Sequence, residues 1–329
     1  MINEPQPLGS PPEPVEKSLV VDSSHFHQAL DLLEEAFPDV SRGFFYAIVQ
    51  QDPWYNPNFS LGLEKGDRLV AFLQIFDRTL QLGGRTVRVG GIGSVATRPK
   101  EQGQGYSTRL LNQAIEMMEQ HGMESSILFT KIHPFYERLG WRTLPQFEQE
   151  IPVAALKALR PSYHAYRRIL EKDCQPIQEI YSLQSHKTQG NLVRTPAYWD
   201  ARVHWMNHTP IAVLDEERLV GYFYYARYNL KKPVLAISEM GLRESDDKTV
   251  ALVLGAMARK AEECGCTAIR GFFRPVPGMN RYLDSSPGLA TDHPHHYVMW
   301  RDLGAFEHHE TILELIAQNR FLYWQTDAF

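Results

Sequence analysis

Gly103 and Gly105 stand in the stretch "QGQGYS", between an apolar run and an amphipathic one. A glycine turn leading from a strand into a helix aims unpaired backbone N–H groups in one direction. The helix dipole adds to them, and the chemistry such a turn can do is anion binding, phosphate above all. Glycine also lets phosphate oxygens reach the backbone with no Cβ in the way. The spacing falls short of the dinucleotide pattern G-x-G-x-x-G, and no acid closes a suitable following strand. No Gly-Lys-Ser/Thr follows, which excludes the Walker-type phosphate loop.

The other groups capable of chemistry carry less. Cys174, Cys264 and Cys266 are odd in number, and the C-G-C pair has no second pair to complete a zinc site. Reduced thiols are expected. His293, His295 and His296 cluster in "DHPHHY", with His308 and His309 downstream. Adjacent histidines on a strand face opposite ways, so surface or core positions are expected and no metal. Tyr198, Trp199, Val203 and Trp205 lie close together in "RTPAYWDARVHWM". That spacing fits a core, with an acceptor-pocket lining as the other reading.

The elements that must hold the turn follow from periodicity. "SLVVD" reads as a strand, and Phe26, Leu30, Leu33 and Phe37 as one helix face. "FSLGLEKGDRLVAFLQIFDRTL" is a hairpin around Lys65-Gly66-Asp67. "RTVRVGGIGSVATRP" suits a central strand, its glycines Gly90, Gly91 and Gly93 marking a bulge or a close backbone approach. After Gly105, Leu110, Leu111, Ala114, Ile115, Met117 and Met118 trace one helix face. "SILF" is a buried strand, "HPFYERLGW" a short helix and "FEQEIPV" a last strand of this unit.

A helical linker is expected over residues 155–179, and the order of elements then partly repeats over 180–329. "IAVLD" and "LVGYFYYARYN" form a hairpin, "PVLAISEMGL" a third strand, and Thr249 to Cys264 an apolar helix. "TAIRGFF" and "HYVMWRDL" are further strands. The fold class is mixed α/β, with two similar units in tandem, each a mostly antiparallel mixed sheet flanked by helices. The second unit has no glycine turn. In its place stands Arg243-Glu244-Ser245-Asp246-Asp247-Lys248, whose adjacent acids would repel a pyrophosphate.

Composition sets the frame. The chain has 329 residues, enough for two domains, and a formal net charge of -5, which argues against nucleic-acid binding. Residues 1–17, rich in proline and acid, read as a disordered tail. No apolar run approaches the ~20 residues of a membrane span, so a cytoplasmic protein without a membrane partner is expected.

Gln102-Gly103-Gln104-Gly105-Tyr106-Ser107, followed by "FYERLGW", resembles the two signatures of the GNAT acetyltransferase superfamily, Q/R-x-x-G-x-G/A and F-Y-x-x-x-G-F. The resemblance covers about residues 19–153, and Ser107 departs from it at the last small position. It implies an N-acetyltransferase domain at 18–154, with acetyl-CoA as co-substrate and no metal. The pantetheine arm would pair with the strand carrying Val95, Ala96 and Thr97. The pyrophosphate would sit on the amides of residues 102–107. The acceptor would be a small-molecule or peptide amine attacking directly. A non-catalytic acyl-CoA-binding or sensing module is the alternative, and a homo-oligomer is compatible with either. Tyr136 stands where the family often places the tyrosine that protonates the leaving thiolate; packing over the cofactor is the other reading.

Glu101, Asp77 and His133 are unranked candidates for the base. The aromatic ending "FLYWQTDAF" reads as a docked segment. The resemblance extends to two tandem groups that use a C-terminal carboxylate as base, the N-myristoyltransferases and the enhanced-intracellular-survival acetyltransferases. Phe329 is the matching residue here, and a docked end with no chemistry stands beside that reading.

Overall fold

The computed structural model describes residues 16–20, 23–159, 165–203, 209–226 and 233–328. The first half runs β1 (Glu16–Val20), α1 (Ser23–Ala36), α2 (Arg42–Gln50), β2 (Ser60–Lys65), β3 (Arg68–Leu82) and β4 (Arg85–Thr97). It continues through α3 (Tyr106–Gln120), β5 (Ser125–Phe129), α4 (His133–Glu137), β6 (Arg142–Thr143) and β7 (Gln146–Pro152). The second half holds β8 (Tyr166–Arg168), α5 (Cys174–Ser185), α6 (Pro196–Tyr198), β9 (Thr209–Asp215), β10 (Arg218–Ala226) and β11 (Val234–Leu242). Then come α7 (Asp247–Glu263), β12 (Ala268–Gly271), α8 (Met279–Asp284), β13 (Thr291–His295), β14 (Val298–Asp302) and α9 (His309–Ala317).

Among the described residues two sheets of seven strands form, in the orders β1-β2-β3-β4-β5-β14-β6 and β13-β7-β12-β11-β10-β9-β8. Each is antiparallel except for one parallel pair, β4 with β5 and β11 with β12. The repeat of elements is therefore a repeat of architecture.

Two strands change sheets. "FEQEIPV", expected to close the first unit, supplies β7, which lies in the second sheet between β13 and β12. "HYVMWRDL", expected in the second unit, supplies β14, which lies in the first sheet between β5 and β6. Val298, Met299 and Trp300 are buried there. A boundary at residue 154 thus does not coincide with sheet membership. Periodicity marks a segment as a strand but carries no information on a partner so distant in sequence.

Two smaller expectations also shift. Glu16 and Lys17, placed in the tail, pair with Lys65 and Glu64 in β1; the rest of the tail, 1–15, lies outside the described residues. The stretch expected as a helical linker contains a 3-10 segment at Val153–Leu159, but also β8, which forms the edge of the second sheet against β9.

Helix α3 lays Leu110, Leu111, Ala114, Ile115 and Met118 on Leu61, Leu63, Leu73, Ile75 and Ile92 of the first sheet. Each such side chain taken out of water contributes about 2 kcal/mol. A further cluster joins Leu80, Val87, Val89 and Ile127 of the first sheet to Ile211, Val213, Phe223 and Ile237 of the second. The two sheets share this core. Among the described residues no helix is long and apolar enough to cross a membrane.

Candidate active site

Strands β4 and β5 run together only from Val89 to Ile92, opposite Ser125 to Leu128. Beyond Ile92, β4 stays with β3 but leaves β5, which continues beside β14 at Phe129. The departure coincides with a bulge: the β3–β4 register shifts between Phe72 and Gln74, and Ser94 takes φ 54°. Such an insertion bends the strand and re-aims it. Upstream of the bulge Gly90 makes the close backbone approach expected of it. A Cβ on Gly90 would lie 2.1 Å from the Met118 sulfur, so glycine is what lets α3 pack closely on β4. The parted edge, residues 93–97, includes Val95, Ala96 and Thr97.

The glycine turn follows directly. Gly103 and Gly105 take φ 81° and 79°, and a Cβ on either would meet nothing within 4 Å. Left-handed backbone, not crowding, therefore fixes these residues as glycine. Gly105 is the N-cap of α3, and no side chain caps the helix there. The first-turn amides of a helix have no acceptor within it, and Gly105 brings no side chain to them. Gln102 Nε2 reaches back to the Thr97 carbonyl at 3.5 Å. Ser107, the residue that departs from the family signature, has a partner: its hydroxyl lies 2.7 Å from Thr97 Oγ1, tying the strand end to the helix start. Beside the helix opens a groove of about 460 Å³ lined by Gly105, Thr108, Arg109, Asn112, Gln113 and Glu116.

Tyr136 sits in α4, just after β5, within the same apolar cluster as α3. Its ring meets Phe135 and Trp141 edge-on, at 5.0 and 6.1 Å. Burial pushes the phenol up to about 12. It stays protonated at neutral pH and can donate.

Three candidate bases are occupied. Glu101 pairs with Lys65 at 3.2 Å. Asp77 accepts from Arg88 Nε and Nη2 at 2.9 and 2.6 Å. The His133 Nε2 lies 3.2 Å from the Thr130 carbonyl. Phe329 lies outside the described residues.

The segment before Phe329 is docked, through residues that local sequence patterns did not reveal. Tyr323 packs on Phe129, the last residue of β5, at 5.5 Å between rings. Arg194 donates to Asp327 at 2.9 and 2.8 Å, to Glu239 at 3.0 and 2.6 Å, and to Thr326 at 3.1 Å. Tyr222 donates to Glu239 at 2.8 Å, and the Thr326 hydroxyl donates to it too. The guanidinium lies 4.0 Å from the Tyr181 ring centroid and 4.5 Å from that of Trp199. Burial works against the Arg194 charge, and the two carboxylates outweigh it. Burial raises the Asp327 carboxyl more than Arg194 lowers it. Gln325 donates to Glu148 of β7 at 3.1 Å, and burial holds that carboxyl above its usual range.

The remaining candidates settle into structural places. His295 is buried between Phe272 and Tyr297, each 4.8 Å away. His293 lies 3.8 Å from Glu150, and His308 3.1 Å from Glu124. Among the described residues no group of three or more His, Cys, Asp or Glu could hold a metal ion. Cys174, Cys264 and Cys266 are free thiols. Tyr198 and Trp199 are core residues; Trp205 lies outside the described residues.

Comparison with known proteins bears on the whole arrangement. Residues 20–144 match the model of the acetyltransferase (GNAT) domain. No curated protein matches the chain in sequence. Among solved structures, a GCN5-related N-acetyltransferase from Anabaena variabilis superposes with a TM-score of 0.69 at 16% identity, covering 88% of this chain and 73% of that one. Eis1 from Mycobacterium abscessus gives 0.60 at 15% identity over 88% and 73%. An N-myristoyltransferase from Saccharomyces cerevisiae, solved with bound myristoyl-CoA, gives 0.57 at 12% identity over 93% and 82%. At these identities the likeness is one of fold.

Proposed function

Taking residues 20–144 as a GNAT acetyltransferase domain, we propose that the chain transfers an acetyl group from acetyl-CoA to a primary amine, in the cleft where β4 leaves β5. The observation that carries this reading is the sequence of a parted, bulged strand and an uncapped helix start, joined by a turn with two left-handed glycines. The parted edge offers backbone groups to an amide-bearing arm. The amides of residues 102–107 offer a seat to its pyrophosphate.

The chemistry asks three things of the site. The amine must lose a proton before it attacks the thioester carbon. Backbone N–H groups on the parted edge stabilise the carbonyl oxygen as it gains charge. The carbon–sulfur bond then breaks, and the thiolate leaves. Tyr136 donates a hydrogen bond to that sulfur. With its phenol at about 12, against roughly 8.5 for a free thiol, the tyrosine stabilises the thiolate by hydrogen bonding more than by giving its proton away. In this reading a base or a water chain at the cleft takes the amine proton.

The test is a calorimetric titration with acetyl-CoA, followed by an amine panel that reads the release of free CoA. Binding with turnover is expected. No binding at high micromolar acetyl-CoA would sink the proposal. Binding without turnover on any amine would leave an acyl-CoA-binding module in its place.

A further inference from the structure

The second sheet repeats the parting of the first. Strand β11 runs parallel to β12 only from Val234 to Ile237, and its register with β10 shifts at the next residue, between Tyr224 and Tyr225. This matches β4, which parts from β5 after Ile92 with a shift in register against β3. The second parting is filled from within the chain. Residues Gln325–Asp327 pack against β11. Thr326 bonds Glu239, which lies just past the shift, and Arg194 joins Glu239 to Asp327.

We infer that the second cleft has become the seat of the chain's own C-terminal segment, and that Arg194 is the positioning residue through which this seat shapes the acceptor side of the first cleft. The inference rests on the acetyltransferase reading. The link between the clefts is the segment itself. While Thr326 and Asp327 are held in the second, Tyr323 lies on Phe129 at the point where β4 and β5 part. Its hydroxyl donates to the Asp327 carbonyl at 2.9 Å, so ring and clamp move together. Gln325 is held at the same time by Glu148 of the exchanged strand β7.

The clamp is built for one arrangement. The Arg194, Glu239 and Asp327 side chains are fully buried. Separating them would leave uncompensated charge in the interior, so intermediate positions of the segment are costly. A planar guanidinium serves two carboxylates and a hydroxyl here while lying against the Tyr181 and Trp199 rings, and a lysine ammonium cannot reproduce that fork.

The experiment removes the segment's side of the clamp and leaves Arg194 paired with Glu239. A Thr326→Val/Asp327→Ala variant should raise KM for the amine ~10-fold while the acetyl-CoA dissociation constant stays within twofold. Tyr323→Ala should raise it comparably. Combining all three changes should be no worse than either alone, because they break one device. The inference is overturned if acetyl-CoA affinity falls in step with the amine KM, if the amine KM stays within twofold of the wild type, or if the effects add. A wild type that turns over no amine would count against the acetyltransferase reading instead. The seat would then be read by hydrogen exchange at residues 322–324: lost protection in the Thr326→Val/Asp327→Ala variant supports it, and unchanged protection overturns it.

Discussion

The helices that follow the two parted strands begin in opposite ways. Helix α3 starts at Gly105, which makes no side-chain cap hydrogen bond. Helix α7 starts at Asp246, whose carboxylate accepts from the Thr249 amide at 2.9 Å and from the Thr249 hydroxyl at 3.0 Å. Asp247 adds a second negative charge in the first turn. Both helix ends carry the same dipole. The α7 start is met by the side chain of its own N-cap residue, and the α3 start is not. The difference teaches that one capping residue decides whether such a helix end is met by the chain itself or, as in the proposed function, by a bound anion.

The comparison can be broken most directly by moving that residue. Gly105→Asp puts a carboxylate where α7 has one. At about 4 Å from a phosphate charge the repulsion is on the order of 4 kcal/mol at a partly exposed site. Acetyl-CoA affinity measured by calorimetry should fall by a hundredfold or more. An affinity within threefold of the wild type would end the equivalence of the two helix starts.

A slightly smaller effect concerns the junction of the halves, where β13 lies beside β7. Burial holds His295 down at about 4, below its unfolded value of about 6.5. The unfolded chain therefore takes up a proton that the folded chain refuses. Stability from this group is present above pH 6.5 and drains away as the pH falls toward 4, by about 3 kcal/mol at most. Denaturant melts at pH 7 and pH 4.5 should show a smaller loss in His295→Leu than in the wild type. Equal losses in both would place the acid sensitivity elsewhere.

The helices after β5 and β12 sharpen the contrast further. Each carries a tyrosine, Tyr136 in α4 and Tyr282 in α8. Tyr136→Phe should lower kcat roughly a hundredfold, with acetyl-CoA affinity kept. Tyr282→Phe should leave kcat unchanged. Equal kinetics for the two variants would remove the assignment of Tyr136. The smallest effect belongs to Asp246→Ala, which should cost about 1 kcal/mol in a melt through loss of the α7 cap. It should leave acetyl-CoA binding untouched, and a change in that binding would show that the second half takes part in holding the donor.

What was legible in the sequence was local. A strand, two glycines and an amphipathic run specify the α3 start within a short window, and left-handed glycines confirm it at Gly103 and Gly105. The misfit of Ser107 needed three dimensions, because its partner Thr97 sits across the turn. The Arg194 clamp draws its members from three distant stretches, and each alone reads as an ordinary charged residue. The exchange of β7 and β14 was hidden for a related reason. Both segments have strand character, but the choice of sheet depends on which unfilled slot accepts their buried faces, and no pattern within the segment records that.

The exchanged strand β14 also sets a clock. Phe129 pairs with Val298, about 170 residues later in the chain. At translation rates of roughly 5–20 residues per second, β5 waits on the order of ten seconds or more for its neighbour. Through that interval the first sheet has an unpaired inner edge, the kind of surface that invites association with other chains. The first sheet is therefore completed only after β14, in the second half, has been made.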